Sequence, residues 1–345
     1  MTPSRFIADN MSLPRVTTAG EALIDLVLQA DGLFKPCLGG AVFNLSRALA
    51  RQNVPTLYQN PLSNDRFGRQ LAQGLLEDGV HLAVPLPVAQ PTSIAVVALD
   101  AAGHPDYAFY REDVADRQIT AQSLIEASLA HAHLNVACTG CLALDPADAE
   151  HYVPWLQAQK KDGKWIVIDV NLRPSVMSDL QAYRAHVLKM AQLADVLKAS
   201  DEDLSHLQLP GANSMEQAMS LMSITSAQWM ALTLGAEGAC LLVRQGSQVK
   251  VLKARESTAV KVVDTVGAGD SFLAGLLACA LHHADQANVH LNLRSWANQI
   301  STDALQDVLE HALASATLVV MKRGCDPASW SEVRTRMKEF PAVSP

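Results

Sequence analysis

The sequence predicts an α/β fold, in which a doubly wound, mostly parallel sheet is flanked by helices and carries a small antiparallel lid of strands. Short, nearly continuous apolar runs recur along the chain, and amphipathic stretches of helical length lie between them. Apolar runs without alternation are typical of strands that are buried on both faces of a parallel sheet. Their alternation with helices indicates a layered α/β architecture.

The first elements along the chain predict the lid. Residues 93–112, SIAVVALDAAGHPDYAFYRE, have the pattern of two alternating strands around a turn at residues 100–103. With residues 17–29, TTAGEALIDLVLQ, they are expected to form a small sheet that stands off the main layer. We expect a tail at residues 1–15 and one domain at 16–340, with the lid at about 17–36 and 92–116. A sheet covered on one face makes a natural lid or a dimer surface.

The elements that follow predict the main layer. Buried strands are expected at residues 134–140, 165–170, 194–200 and 229–235, and helices at 178–193 and 215–225. Near the end, AVKVV at 259–263 has a strand pattern, and SFLAGLLACAL at 271–281 is strongly helical. In such a layer, polar groups at the carboxyl ends of the strands form the expected active-site edge.

Composition excludes several classes of protein. The 345 residues are 49% hydrophobic and 18% charged, and the formal net charge is −8 without a basic block, which argues against a nucleic-acid partner. No window approaches the roughly 18 apolar residues that span a bilayer, and the start lacks the pattern of a secretory signal, so we expect a cytoplasmic protein without membrane contact. Of six cysteines, Cys138 and Cys141 form a C-x-x-C pair, which we interpret as core residues.

The residues that indicate a chemical function most directly lie in the stretch DTVGAGDSFLAGLL, residues 264–277. Gly267, Ala268, Gly269 and Asp270 lie where the predicted strand turns into the helix. The first N–H groups of a helix and its positive dipole end make an anion site, and glycines let a phosphate approach closely. Asp270 is then either a helix cap or a general base that takes a proton from a substrate hydroxyl during phosphoryl transfer.

Two competing motifs do not fit this turn. A P-loop requires G-x-x-x-x-G-K-[ST], and the turn has no lysine. A dinucleotide fingerprint requires G-x-G-x-x-G, and Phe272 stands at the third glycine position. The oxidoreductase alternative is therefore weak.

The same stretch resembles the C-terminal signature of the ribokinase-like sugar kinases of the phosphofructokinase-B type. Further motifs in the family's order extend the resemblance from about residue 16 to 340. They are GEALIDL (20–26), LGGAVFNLSRALAR (38–51), SNDRFGRQL (63–71), DVNLRPSVM (169–177), LTLGAEGACLL (232–242) and ASATLVVMKRGCDP (314–327). The resemblance implies an ATP-dependent kinase that transfers the γ-phosphoryl group to a sugar hydroxyl, with Mg²⁺ as cofactor.

The resemblance also implies roles for individual residues. Asp270 matches the catalytic base, and Gly267, Ala268 and Gly269 match the anion hole. The positions that match the sugar side are Asp25, Gly39, Gly40, Asn44, Phe109, Arg111 and Arg173. The positions that match the nucleotide side are Lys198, Ser200, Thr233, Gly235, Gly238 and Gly324. Surface roles are the alternatives for Arg111 and Arg173, and a turn or sheet-edge carboxylate is the alternative for Asp25.

The metal residues depart from the family pattern. The family often has N-x-x-E after a strand with lysine, whereas LKASDEDL places Ser200 and Asp203 there. Asp203 is the expected metal residue, and Glu202 is its alternative. Asp264 and the carbonyl of Val266 match positions that ligate a monovalent cation in some relatives, so K⁺ is a second ion that the resemblance allows.

The substrate is less specifically implied. GEALIDL, YREDVAD and DVNLRPSVM look most like bacterial fructokinases, which favours the primary hydroxyl of D-fructose. Relatives that act on 2-keto-3-deoxygluconate resemble the chain nearly as well, and ribokinases and nucleoside kinases follow. A sugar-binding protein without turnover is the remote alternative, which the complete Asp270 turn disfavours. A homodimer through the lid is expected, because many relatives pair in this way.

Overall fold

The computed structural model describes residues 13–29, 31–99, 105–246 and 248–344. Within these residues the strands are, in chain order, β1 (Val16–Thr18), β2 (Leu23–Leu28), β3 (Phe34–Gly39), β4 (Thr56–Tyr58), β5 (His81–Leu82), β6 (Ser93–Leu99), β7 (Pro105–Tyr110), β8 (Val136–Gly140), β9 (Trp165–Asp169), β10 (Val196–Ser200), β11 (Trp229–Thr233), β12 (Ala239–Gln245) and β13 (Gln248–Ala254).

The helices, in the same order, are α1 (Ala41–Arg51), α2 (Arg66–Glu77), α3 (Ala121–Leu129), α4 (Ala149–Lys161), α5 (Leu180–Ala191), α6 (Asp201–Leu207), α7 (Ser214–Ser223), α8 (Ala268–Gln286), α9 (Leu293–Ala297), α10 (Thr302–Val320) and α11 (Trp330–Glu339). No helix in the described ranges combines the length and the hydrophobicity needed to cross a membrane.

Nine strands form the main sheet, in the order β13-β12-β11-β10-β9-β8-β1-β4-β5. The pairs from β11 to β5 are parallel, and β12 and β13 add antiparallel strands at one edge. The short strand β1 lies between β8 and β4, with Val16 opposite both Val136 and Thr56. This is the doubly wound sheet that the apolar runs predict.

Both faces of the main sheet are covered by separate apolar cores. One core joins the sheet to α1, α8 and α10, and the other joins it to helices α3 to α7. Trp165 and Trp229 meet edge to face in the first core, with their ring centroids 5.0 Å apart. Burial on both faces explains why these strands are apolar at nearly every position.

The lid is a second sheet of four strands, in the order β3-β2-β6-β7. Its outer pairs, β2 with β3 and β6 with β7, are antiparallel, as expected, while the central pair of β2 and β6 is parallel. One face of the lid packs Leu23, Ala95 and Phe109 against Cys141 and Leu142 of the main body. The lid is thereby seated over the carboxyl ends of the main strands.

Four sequence predictions about local structure need correction or comment. Residues 17 and 18, expected in the lid, are fully buried in β1 of the main sheet, and the lid begins at Leu23. The strand predicted at 259–263 does not form. Among the described residues this exposed segment lies beside no strand, and within it only the backbone N–H of Val263 donates to another backbone group, the carbonyl of Val320. The predicted turn at 100–103 and most of the predicted tail lie outside the described residues.

The remaining helix and core predictions are confirmed. The stretch at 178–193 contains α5, the stretch at 215–225 overlaps α7 over nearly all of that helix, and the stretch at 271–281 lies within α8. Cys138 and Cys141 are buried free thiols in apolar surroundings. Burial raises the pKa of both thiols, which suits core residues better than a reactive pair.

Candidate active site

The start of α8 is shaped by a left-handed glycine. Gly267 has φ +78° and directly precedes the helix, which begins at Ala268. A Cβ atom built on Gly267 would lie 2.3 Å from Cys325 Sγ, so a side chain is excluded by space as well as by conformation. The predicted turn at residues 267–270 therefore exists, although no strand leads into it.

Asp270 lies in the first turn of α8 and is only 7% exposed. Asn44 Nδ2, from α1, donates a hydrogen bond of 2.9 Å to Asp270 Oδ2. Burial raises the pKa of Asp270 to about 6, although the Asn44 bond and the charges of Lys198 and Arg173 oppose this rise. A carboxylate with a pKa near neutrality is suited to general base catalysis.

Two glycines let the lid approach the start of α1. A Cβ atom on Gly39 would lie 2.1 Å from Asp25 Oδ2, and a Cβ atom on Gly40, at φ +104°, would lie 2.7 Å from the carbonyl oxygen of Glu21. Asp25 on β2 is half-buried, and burial raises its pKa to about 6 while the charge of Arg173 opposes the shift. The sugar-side candidates Asp25, Gly39, Gly40 and Asn44 are thus brought to one place.

A second group of charges surrounds Lys198 on β10. Its Nζ lies 3.0 Å from Asp169 Oδ1, and a Cβ atom on Gly269 would lie 2.7 Å from the same Nζ. Burial alone would lower the pKa of Lys198, but the charges of Asp169, Asp203 and Asp270 outweigh it and raise the pKa. This lysine connects the helix start to the carboxyl ends of β9 and β10.

Arg111, a sugar-side candidate, lies among carboxylates of the main body. It is 8% exposed, and its Nη1 and Nη2 atoms lie 3.7 Å from Asp145 Oδ2 and 3.8 Å from Asp148 Oδ2. Arg117 also donates to Asp148. The guanidinium group of Arg111, directly after the end of β7, therefore forms ion pairs with carboxylates of the main body. Arg173 is half-buried near Asp25 and bonds the side chain of Asn171.

The nucleotide-side candidates follow the strands β10 and β11. Ser200 caps α6, and Thr233 ends β11. Gly235 and Gly238 both have positive φ, and a Cβ atom on Gly238 would lie 2.2 Å from the carbonyl oxygen of Ala254. These two glycines shape the turn between β11 and β12.

Both candidate metal carboxylates already bond the backbone. Asp203 accepts hydrogen bonds from the backbone N–H of Leu172, at 2.7 Å, and of Ser200, at 2.8 Å. Asp264 accepts from Val266 and from Gly324, at 3.1 Å and 2.9 Å. Asp203 therefore orders the loop after β9, and Asp264 holds the Gly324 loop beside α8. Glu202, the alternative to Asp203, has a side chain that is 82% exposed.

Sequence reasoning did not assign roles to two residues near Asp270. Asp169 opens the D-x-N-x-R motif at the carboxyl end of β9, and burial raises its pKa to about 7 against the opposing charge of Lys198. The motif itself was the available signal. Glu21, in GEALIDL, accepts a hydrogen bond from the backbone N–H of Ala41 and so fixes the start of α1, but a single acidic residue after a glycine gave no signal of this role.

A doubly wound α/β body, a lid, and a buried carboxylate at a glycine-rich helix start together define the class of phosphotransferases that act on an alcohol group. The family described as pfkB family carbohydrate kinase matches residues 14–332. The chain therefore belongs to the pfkB family of carbohydrate kinases, with the ribokinase-like fold.

Curated relatives and solved structures resemble the chain over most of its length. A fructokinase of Rhizobium leguminosarum bv. trifolii is 34% identical over 76% of this chain and 78% of the relative. A fructokinase of Vibrio alginolyticus is 30% identical over 82% and 90%. The crystal structure of a fructokinase with bound ATP from Xylella fastidiosa is similar with a TM-score of 0.80 and 25% identity, over 95% of this chain and 99% of that one.

Proposed function

We propose that the protein is an ATP-dependent fructokinase with Asp270 as its general base. The observation that carries the proposal is the position of Asp270, which is buried at the start of α8 and bonded by Asn44. The sugar-side candidates Asp25 and Gly39 approach from the lid, and Lys198 approaches from the nucleotide side. The chemistry of this arrangement suits a hydroxyl acceptor on one side and a phosphate donor on the other.

In the proposed mechanism, the attacking hydroxyl of the sugar gives its proton to a carboxylate oxygen of Asp270. The hydroxyl oxygen forms a bond to the γ-phosphorus of ATP, and the bond from that phosphorus to the β,γ-bridging oxygen breaks, which releases ADP. Gly267, Ala268 and Gly269 let the transferring group approach the positive end of α8. Lys198, beside Gly269, adds positive charge near the phosphates.

The residues present fit a divalent cation. Asp169, Asp203 and Asp270 act on Lys198 together, and such oxygen donors are those that Mg²⁺ prefers. Asp169 and Asp203 are the side chains that would hold the ion, through its water ligands, because the oxygens of Asp203 already bond the backbone. When bound, the ion would neutralise charge on the phosphates of ATP.

Fructose is the proposed substrate because curated relatives that cover most of the chain are named fructokinases. The guanidinium group of Arg173 also suits the carboxylate of a sugar acid, so 2-keto-3-deoxygluconate is the second candidate, ahead of ribose and nucleosides. An ADP-release assay with each of fructose, 2-keto-3-deoxygluconate, ribose and adenosine separates them. We expect release with fructose. If only the keto acid caused ADP release, the assignment of fructose as substrate would be wrong, and the assignment of the protein as a kinase would stand.

The test of the base is Asp270→Asn. We expect this variant to bind ATP and sugar normally but to lose about 10²- to 10⁴-fold in kcat, because an amide cannot accept the proton. Binding is measured by calorimetry and turnover by ADP release. The control is Asp285→Asn, which makes the same chemical change near the other end of α8. Near-normal turnover of Asp270→Asn would remove Asp270 from the role of base.

Three further parts of the proposal concern ions, assembly and location. Asp264 and the carbonyl of Val266 are the proposed ligands of a monovalent cation such as K⁺. The exposed apolar residues of the lid, among them Leu28 and Phe34, are the proposed surface of a homodimer. A cytoplasmic location without nucleic-acid or membrane partners stays a prediction from the sequence.

A further inference from the structure

A cluster of side chains of metal-binding types lies on the helices behind the active site. Cys279 and His283 are one turn apart on α8, and Asp307 faces them from α10. One ligand atom from each residue lies within 4.8 Å of the others. Cys279 follows Asp270 by nine residues, which corresponds to about 14 Å along the helix. The cluster is therefore separate from the site of phosphoryl transfer.

The distances in the cluster are close to those of a tetrahedral metal site. Cys279 Sγ lies 3.3 Å from Asp307 Oδ2, and His283 Nε2 lies 2.9 Å from the same oxygen. A zinc ion with bonds of about 2.3 Å to sulfur and about 2.0 Å to nitrogen and oxygen separates such ligand atoms by about 3.3 to 3.6 Å. The thiol and the imidazole would need to move away from Asp307 Oδ2 by only a few tenths of an ångström to accept it.

A neighbouring residue orients the carboxylate. Arg334 Nη1, from α11, donates a hydrogen bond of 2.7 Å to Asp307 Oδ1. The other oxygen, Oδ2, is thereby directed toward the thiol and the imidazole. Metal-binding carboxylates are commonly fixed by such a second hydrogen bond. A thiolate and a carboxylate also supply two negative charges. These offset the two positive charges of a divalent ion, which would lie beside the guanidinium group of Arg334.

Access to the cluster is one-sided. Cys279 is fully buried, whereas the side chains of His283 and Asp307 are 21% and 28% exposed. An ion can therefore enter from solvent and keep one water as a fourth ligand, while the sulfur lies at the inner side. Sulfur, nitrogen and carboxylate oxygen in a tetrahedral set suit Zn²⁺ and do not suit Mg²⁺.

We propose that Cys279, His283 and Asp307 form a binding site for a zinc-like divalent ion that ties α8 to α10. On binding, the thiol of Cys279 releases its proton to solvent and becomes the sulfur ligand. The imidazole of His283 binds through Nε2 and carries its proton on Nδ1. No electron transfer is involved.

The test is a titration of the full chain with Co²⁺, which reports thiolate ligation by a sulfur-to-cobalt charge-transfer band. The protein is first treated with a chelator, and neither ATP nor Mg²⁺ is present. We expect one equivalent of Co²⁺ to produce the band and Zn²⁺ to displace it, while excess Mg²⁺ does not. Cys279→Ser should abolish the band, and the matched control Cys37→Ser, which changes a half-exposed thiol on the lid, should retain it.

A second measurement covers the case in which the buried Cys279→Ser variant does not fold. His283→Gln changes a partly exposed ligand, and we expect it to weaken Co²⁺ binding at least about tenfold. Zn²⁺ should raise the melting temperature of the unaltered chain and raise that of His283→Gln much less. The proposal is overturned if the unaltered chain gives no thiolate band, if the band survives in folded Cys279→Ser, or if Zn²⁺ shifts both melting temperatures equally. A hydrogen-bonded triad without a metal would give the first of these results.

Discussion

At the scale of single residues, Asp270 is held between two opposing effects. Burial favours the neutral acid, while the amide of Asn44 and the charges of Lys198 and Arg173 favour the carboxylate. The outcome is a pKa of about 6. The proposed base is thus mostly ionised at neutral pH, yet its proton affinity is higher than that of an exposed aspartate.

This balance predicts the pH dependence of the enzyme. In the unaltered chain, kcat/KM should fall as the pH drops through about 6, because Asp270 becomes protonated. Asn44→Leu removes the amide donor while keeping the number and branching of the side-chain heavy atoms, so the pKa of Asp270 rises and the fall should begin about one pH unit higher. The measurement is kcat/KM by ADP release from pH 5 to 8.5. If the fall in kcat/KM stays at the same pH and only the KM for the sugar changes, the role of Asn44 is contradicted.

Local patterns indicated which residues gather around Asp270, but they did not indicate the ion pairs of Arg111. The glycine turn, the glycine pair before α1 and D-x-N-x-R are short motifs whose spacing sets their geometry. The environment of Arg111 depends on Asp145 and Asp148, which lie more than thirty positions further along the sequence. Nothing near FYRED in the sequence indicates that those carboxylates hold this guanidinium group. Long-range ion pairs of this kind require the fold.

At the scale of elements, α10 joins α8 and α1 behind the site. A Cβ atom on Gly275 would lie 2.3 Å from Ser315 Oγ, so the close approach of α8 to α10 requires a glycine there. On α10, His311 is fully buried and lies 2.8 Å, through Nε2, from Gln52 Oε1 at the end of α1. Burial, followed by the charge of Arg334, lowers the pKa of His311 to about 3.

The buried His311 predicts a loss of stability in mild acid. Its pKa is about 3 in the folded chain and 6.5 in the reference state, so between these values the unfolded chain binds the extra proton. The free energy of unfolding should therefore fall by about 1.4 kcal/mol per pH unit below about 6.5 from this residue alone. His311→Gln should lack that part of the slope, measured by urea unfolding from pH 7 to 5. Equal slopes for both chains would contradict the assignment.

The sequence predicted secondary structure correctly where both faces of a segment are buried. It predicted a strand wrongly where the segment is exposed. Each predicted strand of the parallel sheet exists, because both of its faces are covered and most of its residues are apolar. AVKVV at 259–263 has the same residue types, yet Val262 and Val263 are 57% and 50% exposed. Residue preference alone cannot separate an extended surface segment from a strand, since the difference is the presence of a neighbouring strand.

At the scale of the whole molecule, the lid exposes apolar side chains away from the site. Leu28 and Phe34 face each other across β2 and β3 and are 42% and 48% exposed. Phe34 lies on the strand at one edge of the lid. Exposed apolar edges of this kind are commonly covered by another chain, which supports the proposed homodimer.

The dimer is tested by Phe34→Asp. The unaltered chain should have twice the chain mass of 37.1 kDa in light scattering after gel filtration, and Phe34→Asp should have the single mass, because the charge would be buried against the partner. Leu129→Asp, at an exposed leucine at the end of α3, is the matched control and should keep the double mass. A single mass for the unaltered chain, or a double mass for Phe34→Asp, would exclude this interface.

The route of the chain through the lid limits how substrate preference can be exchanged between relatives. The chain enters the lid before β2, leaves it after β3, enters again before β6 and leaves after β7. The lid is thus built from two separate segments, β2 with β3 and β6 with β7, and the parallel pair of β2 and β6 joins them. A chimera that takes only one of these two segments from a relative would pair strands from two different proteins at the centre of the lid. Recombination of sugar specificity should therefore succeed only when residues 23–39 and 93–110 are transplanted together.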